Sequence, residues 1–175
     1  MSKKNDDFFK SKKSWSEVKD QLLGCYFKPY VQKILYTQKP LEYVDCFAGK
    51  GKFDDGNPGS PLIALELIKE CLSATRVENP RIRATFIDLN YAEELKTNLQ
   101  GYQGVNIISG KYEDHILNLL SRCSNSNVFL YIDPYGIKAL HCSLFDNFAA
   151  ASFNSIELLI NLNSFGFIKC YGCAT

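Results

Sequence analysis

The amino-acid sequence predicts an α/β fold, a parallel β-sheet with helices on both faces. Two observations lead there. Short apolar or β-branched runs alternate along the chain with stretches of helical periodicity, the signature of βαβ units. The chain also has 175 residues, 46% of them hydrophobic and 22% charged, which is enough apolar material for one domain with a core of ordinary size.

Taken in chain order, the first 40 residues form a basic, aromatic arm. Helical periodicity runs from Ser16 to Leu35, with Ser14 or Ser16 as cap. Residues 41–175 make up the α/β domain. Its first strand is Tyr43-Val44-Asp45-Cys46-Phe47. A helix follows over Leu62–Leu72, with Ser60 as N-cap and Pro61 at the first helical position. The second strand is Ala84–Asp88, the third Val105–Ile108, the fourth Val128–Asp133 and the fifth Leu158–Leu162. Helices are expected between them at about Tyr91–Gln100, Asp114–Arg122 and Ser143–Ala151.

Composition excludes several classes. No apolar run reaches the roughly 20 residues needed to span a bilayer, and the charged start Lys3-Lys4-Asn5-Asp6-Asp7 is not followed by the apolar stretch of a secretory signal. Seven scattered cysteines fit reduced thiols and a cytoplasmic location better than a disulfide scaffold. The net charge of +1 hides an asymmetry: the arm holds nine lysines against four acids, whereas the remainder is acidic. Lys10, Lys12, Lys13, Lys19 and Lys28 alternate with Phe8, Phe9, Trp15, Tyr26, Phe27 and Tyr30. Such a pattern suits single-stranded nucleic acid, RNA or DNA, but a helix must bury an apolar face somewhere, which favours the aromatic residues packing on the sheet.

In open parallel sheets ligands bind at the carboxyl ends of the strands, and four sets of residues fall there. The first strand runs into Asp45-Cys46-Phe47-Ala48-Gly49-Lys50-Gly51, where Gly49 and Gly51 allow a sharp turn and close backbone approach. Asp45 either accepts a hydrogen bond from a ligand ammonium or orders the loop. The second strand ends in Asp88, placed to hold two ribose hydroxyls or to cap the next helix. Glu113 and Asp114 follow the third strand, placed to meet an adenine amino group or to serve as first-turn acids. The fourth strand ends in Asp133-Pro134-Tyr135-Gly136. There Pro134 stops the ladder, and a carboxylate and a carbonyl beside a ring can hold an exocyclic amine while the ring stacks on its base. The alternative is a strand-ending turn with Tyr135 in the core.

In this order the motifs resemble class I methyltransferases that use S-adenosylmethionine. The closer resemblance is to the three-Cys-motif partner proteins, carried by Tyr43–Gly51, Gly59-Ser60-Pro61-Leu62-Ile63-Ala64-Leu65, Phe129–Gly136 and Glu157-Leu158-Leu159-Ile160-Asn161. It covers about Ser14 to Asn163. The resemblance implies a Rossmann-like class I methyltransferase fold with strand order 3-2-1-4-5. It assigns Asp45, Phe47, Ala48, Gly49, Gly51, Asp88 and Glu113 or Asp114 to S-adenosylmethionine. Asp133, Pro134 and Tyr135 then become the catalytic residues acting on an amino group of nucleic acid. It also implies a partner protein bearing a three-cysteine motif.

Three departures from the pattern stand out. Lys111 occupies the place where an acid often follows the third strand, and Lys50 sits between the glycines as a flexible cation near the cofactor. The chain ends just after the fifth strand, where class I methyltransferases usually add two more. That leaves an open sheet edge, which favours association into a homo-oligomer, and it keeps a second expectation alive: a catalytically silent, methyltransferase-like partner module. Cys170 and Cys173 have the spacing of half a zinc site, but nothing completes it, so no metal is expected. Gly51-Lys52-Phe53 lacks the Ser/Thr of a phosphate-binding P-loop.

Overall fold

The computed structural model describes residues 6–134, 136 and 140–162. Five parallel strands form one sheet in the order β3-β2-β1-β4-β5: β1 (Leu41–Asp45), β2 (Ile82–Asp88), β3 (Val105–Ser109), β4 (Asn127–Ile132) and β5 (Ser155–Ile160). This is the expected order. Among the described residues six helices accompany the strands: α1 (Asp6–Phe9), α2 (Ser14–Leu35), α3 (Ser60–Ala74), α4 (Ala92–Asn98), α5 (Tyr112–Leu120) and α6 (Cys142–Ala150).

Side-chain alternation along each strand divides the core in two. Tyr43, Phe86 and Phe129 face one side, where Leu23, Phe27 and Val31 of α2, Leu65 and Ile68 of α3 and Leu95 of α4 cover them. Their chain neighbours Val44, Ile87 and Leu130 face the other side, under Ile116 and Leu120 of α5 and Leu144 and Phe148 of α6. Every residue of β1 and β4 is buried, as expected for central strands covered on both faces. Phe27 is the hub of the first core, with its ring centroid 4.8 Å from those of both Tyr43 and Phe129.

Polar groups are also placed at the opposite rim. The side chain of buried Asn127, at the start of β4, donates to Thr37 Oγ1 after α2 and accepts from Asn154 Nδ2 and Ser155 Oγ before and within β5. Glu42 is buried on β1 and accepts two hydrogen bonds from the Arg83 guanidinium of β2.

The boundaries move by one to three residues from the sequence expectation. β1 begins at Leu41 and ends at Asp45, so Cys46 and Phe47 belong to the loop; β5 begins at Ser155 and ends at Ile160 rather than at Leu162. The cap of α3 is Gly59, and the cap of α2 is Lys13. Ser60 does not cap, because its hydroxyl is committed elsewhere. The strand β5 pairs with β4 on one side and forms an edge of the described sheet.

Because Phe27 fills a fully buried position between two aromatic rings, Phe27→Ala should destabilise the fold by about 3–5 kcal/mol, the usual cost of such a truncation. Urea denaturation of the two chains measures this; a loss below about 1 kcal/mol would mean the site collapses around the deletion.

Candidate functional site

The order β3-β2-β1-β4-β5 places the topological switch between β1 and β4, the point at which open parallel sheets in general take ligands into a hollow between diverging loops. Three carboxylates meet there. Asp45 ends β1, Asp88 ends β2, and Asp133 follows β4 directly.

Asp45 is fully buried. Its Oδ2 accepts from the Ser60 hydroxyl at 2.7 Å and its Oδ1 from the backbone N–H of Phe47 at 3.1 Å. Burial pushes its carboxyl up to about 7; the two hydrogen bonds pull the other way, and the nearby charges of Asp133 and Asp88 add to the rise. Among the described residues no ion pair involves Asp45. Burial likewise raises the carboxyl of Asp133, opposed by the charge and hydrogen bond of Lys19.

The glycine loop is ordered from both sides. Ala48 donates its backbone N–H to Ile87 O, and Gly49 donates its own to Asp88 Oδ2 at 2.8 Å. Gly49 and Gly51 have φ of 61° and 76°, the left-handed region that favours glycine. Space also demands it: a Cβ on Gly51 would come within 2.8 Å of a Leu95 methyl. Asp88 accepts two more backbone bonds at Oδ1, from Asn90 and Tyr91. Its first task is therefore to fasten the glycine loop to the start of α4, and any contact with a ribose is added to that. The Phe47 ring packs on Tyr112.

The remaining candidates separate. Glu113 and Asp114 lie in the first turn of α5, where the helix dipole favours acids; Glu113 is half-buried, and its charge adds to the burial and the Asp45 charge that raise the Cys46 thiol, while Asp114 is exposed. Pro134 is buried beside Asp133. Tyr135 and the Cys170/Cys173 pair lie outside the described residues.

The arm reaches the hollow, and this was not legible in the sequence. Lys19 Nζ of α2 donates to Asp133 Oδ2 at 2.5 Å. The Phe9 ring lies over the glycine loop, 2.8 Å from where a Gly49 Cβ would stand, and its edge meets Tyr91 at a centroid distance of 4.9 Å. Phe8 and Phe9 both pack on Phe53, and Asp54 donates its backbone N–H to Phe9 O. Lys50 is not a loose cation: its Nζ sits 5.2 Å from the Phe9 ring centroid and 5.5 Å from that of Tyr91, with Asp6 and Asp54 nearby. Other arm lysines are also paired, Lys10 with Asp7, Lys12 with Asp20 and Lys28 with Glu70. The arm's aromatic residues divide: Phe27, Tyr30 and the partly exposed Tyr26 pack on Phe129, while Trp15 is 59% exposed. Two open grooves lie away from the hollow, one of about 490 Å³ beside Lys39, Arg81 and Asn125, the other of about 420 Å³ between β3 and α5. Among the described residues no helix is long and apolar enough to cross a membrane, and no His/Cys/Asp/Glu cluster could hold a metal.

No protein-family model matches the chain, and no curated protein matches it. Among solved structures it is similar to yhhF from Escherichia coli, a protein named as a candidate methyltransferase. The two share 15% identity over 88% of this chain and 78% of that one, at a TM-score of 0.46. A likeness at that level carries no argument about chemistry.

Asp45 also predicts a pH dependence. Its carboxyl titrates near 7 in the fold and near 3.8 when unfolded. Between those values the folded state holds a proton the unfolded chain has released, so this residue's contribution to stability falls as pH rises through the window. Asp45→Asn should therefore flatten the decline from about pH 4 to about pH 7 and be the more stable chain at about pH 8. Denaturation midpoints across that range check it, and parallel curves for the two chains would contradict it.

Proposed function

We propose that this chain binds S-adenosylmethionine in the strand-tip hollow and directs its methyl group to an amino nitrogen, with the exocyclic amine of an RNA or DNA base as acceptor. The observation that carries the reading is the set of three carboxylates around the switch point, one of them buried with no cation paired to it among the described residues. Such a site has an electrostatic vacancy for positive charge, and strongly perturbed carboxyls in a crevice point to function more often than to scaffolding. A ligand bearing an ammonium and a sulfonium has the complementary charge.

When bound, the cofactor supplies an electrophilic methyl on sulfur. The chain's own residues would do the rest. Asp45 holds the amino-acid ammonium and gains the cation it lacks. Gly49 and Gly51 keep the loop backbone close to the ligand, and Asp88 holds both that loop and the ribose. Asp133 and the Pro134 carbonyl accept hydrogen bonds from the acceptor amine and aim its lone pair; the raised carboxyl of Asp133 is suited to receive the proton the amine loses. Tyr135 stacks on the base. A silent partner module, engaging a protein with a three-cysteine motif, is the second reading. It is favoured by one observation, the arm already covering Gly49 and pairing with Asp133.

Calorimetry with S-adenosylmethionine tests the first reading. Saturable binding is expected, weakened about 10- to 100-fold in Asp45→Asn, the worth of one hydrogen bond to a charged group. Silence at millimolar ligand would remove the reading. Transfer of labelled methyl to RNA or DNA, lost in Asp133→Ala, then separates enzyme from module.

A further inference from the structure

The first turns of α2 bring a second group of polar side chains to the hollow. Lys19 pairs with Asp133, and Asp20, beside it in the chain, pairs with Lys12 and senses the charges of both Lys19 and Asp133. One turn before Lys19 stands Ser16, only 5% exposed, whose hydroxyl has no hydrogen-bond partner. Residues three apart share a helix face, so Ser16 and Lys19 look the same way. A buried hydroxyl is costly to leave unmade. Here it shares a helix face with the lysine that reaches Asp133, and a hydroxyl with an ammonium is a donor set for a carboxylate.

Resting on the proposed function, we infer that Ser16 and Lys19 form the subsite for the α-carboxylate of S-adenosylmethionine, and that Lys19 leaves Asp133 to take it. In the free protein Lys19 neutralises Asp133. The incoming ligand brings one carboxylate, so Lys19 trades one carboxylate for another, and Asp133 gives up its cation. The lysine stem is long and flexible enough for the trade, and both partners of the pair keep a quarter or so of their surface in water, at 28% and 24%. Neighbouring lysines are held more firmly: Lys12 by Asp20 and the Pro58 carbonyl, Lys50 by two rings and two acids. The consequence is an order of events. Asp133 becomes open to an acceptor amine once the cofactor has drawn Lys19 away.

Calorimetry with S-adenosylhomocysteine and its decarboxylated analogue tests this without turnover. The wild-type chain should prefer the carboxylate-bearing compound by about tenfold or more. Lys19→Met should abolish the preference, and Ser16→Ala should reduce it. Asp133→Asn should tighten S-adenosylhomocysteine, because the lysine is no longer held back. Equal binding of the two compounds, an undiminished preference in Lys19→Met, or unchanged or weaker binding in Asp133→Asn each overturns the subsite while leaving the cofactor reading intact. If neither compound binds any of the chains at millimolar concentration, the cofactor reading fails and the subsite falls with it.

Discussion

A carboxylate buried at the tip of a central strand is the constraint around which the site is organised. Asp45 lies where β1 is flanked by β2 and β4 and covered on both faces, so water cannot solvate its charge. The fold answers with neutral donors: the Ser60 hydroxyl and the Phe47 amide. Those two bonds also fix geometry, because one grips the start of α3 and the other the loop between β1 and α3. Among the described residues no cation compensates the charge itself. A ligand cation would complete what the protein leaves open.

Asp88 works in a complementary way. Three backbone N–H groups converge on it from the glycine loop and from the entry to α4. Both acids order the loops, and the hydrogen bonds that make those loops rigid also fix the carboxylates at neighbouring strand tips. Preorganisation of this kind needs no movement of these two acids when a ligand arrives, whereas the Phe9 ring covers the loop at Gly49. Asp133 is the exception, being tied to a lysine on a surface helix rather than to the backbone. It is accordingly the acid whose partner can change.

Much of the architecture was legible in the sequence because its signals are local. Apolar runs such as Val128–Ile132 and the helical period over Leu62–Leu72 each predict their element with few neighbours consulted, and the parallel sheet follows from their alternation. Ends were less legible. Ser60 reads as a helix cap from its place before Pro61, yet its hydroxyl goes to Asp45, fifteen residues earlier, and Gly59 takes the cap position. Cys46 and Phe47 read as strand from their side chains, but the strand ends at Asp45, whose carboxylate accepts from the Phe47 amide two residues on. Local propensity cannot see a competing tertiary hydrogen bond.

By itself the sequence determined which residues stand at the strand tips, since an acid or glycine pair closing an apolar run is a matter of chain order. It determined that the arm is basic and aromatic, but left open where those side chains go. Only the tertiary structure decided that Phe9 covers Gly49, that Lys50 is enclosed by rings, and that Lys19 meets Asp133 across 114 residues of chain. The physical reason is that charge pairing and ring packing depend on distance in space. A lysine on a polar helix face looks solvated in any local window until the fold brings a half-buried carboxylate to meet it.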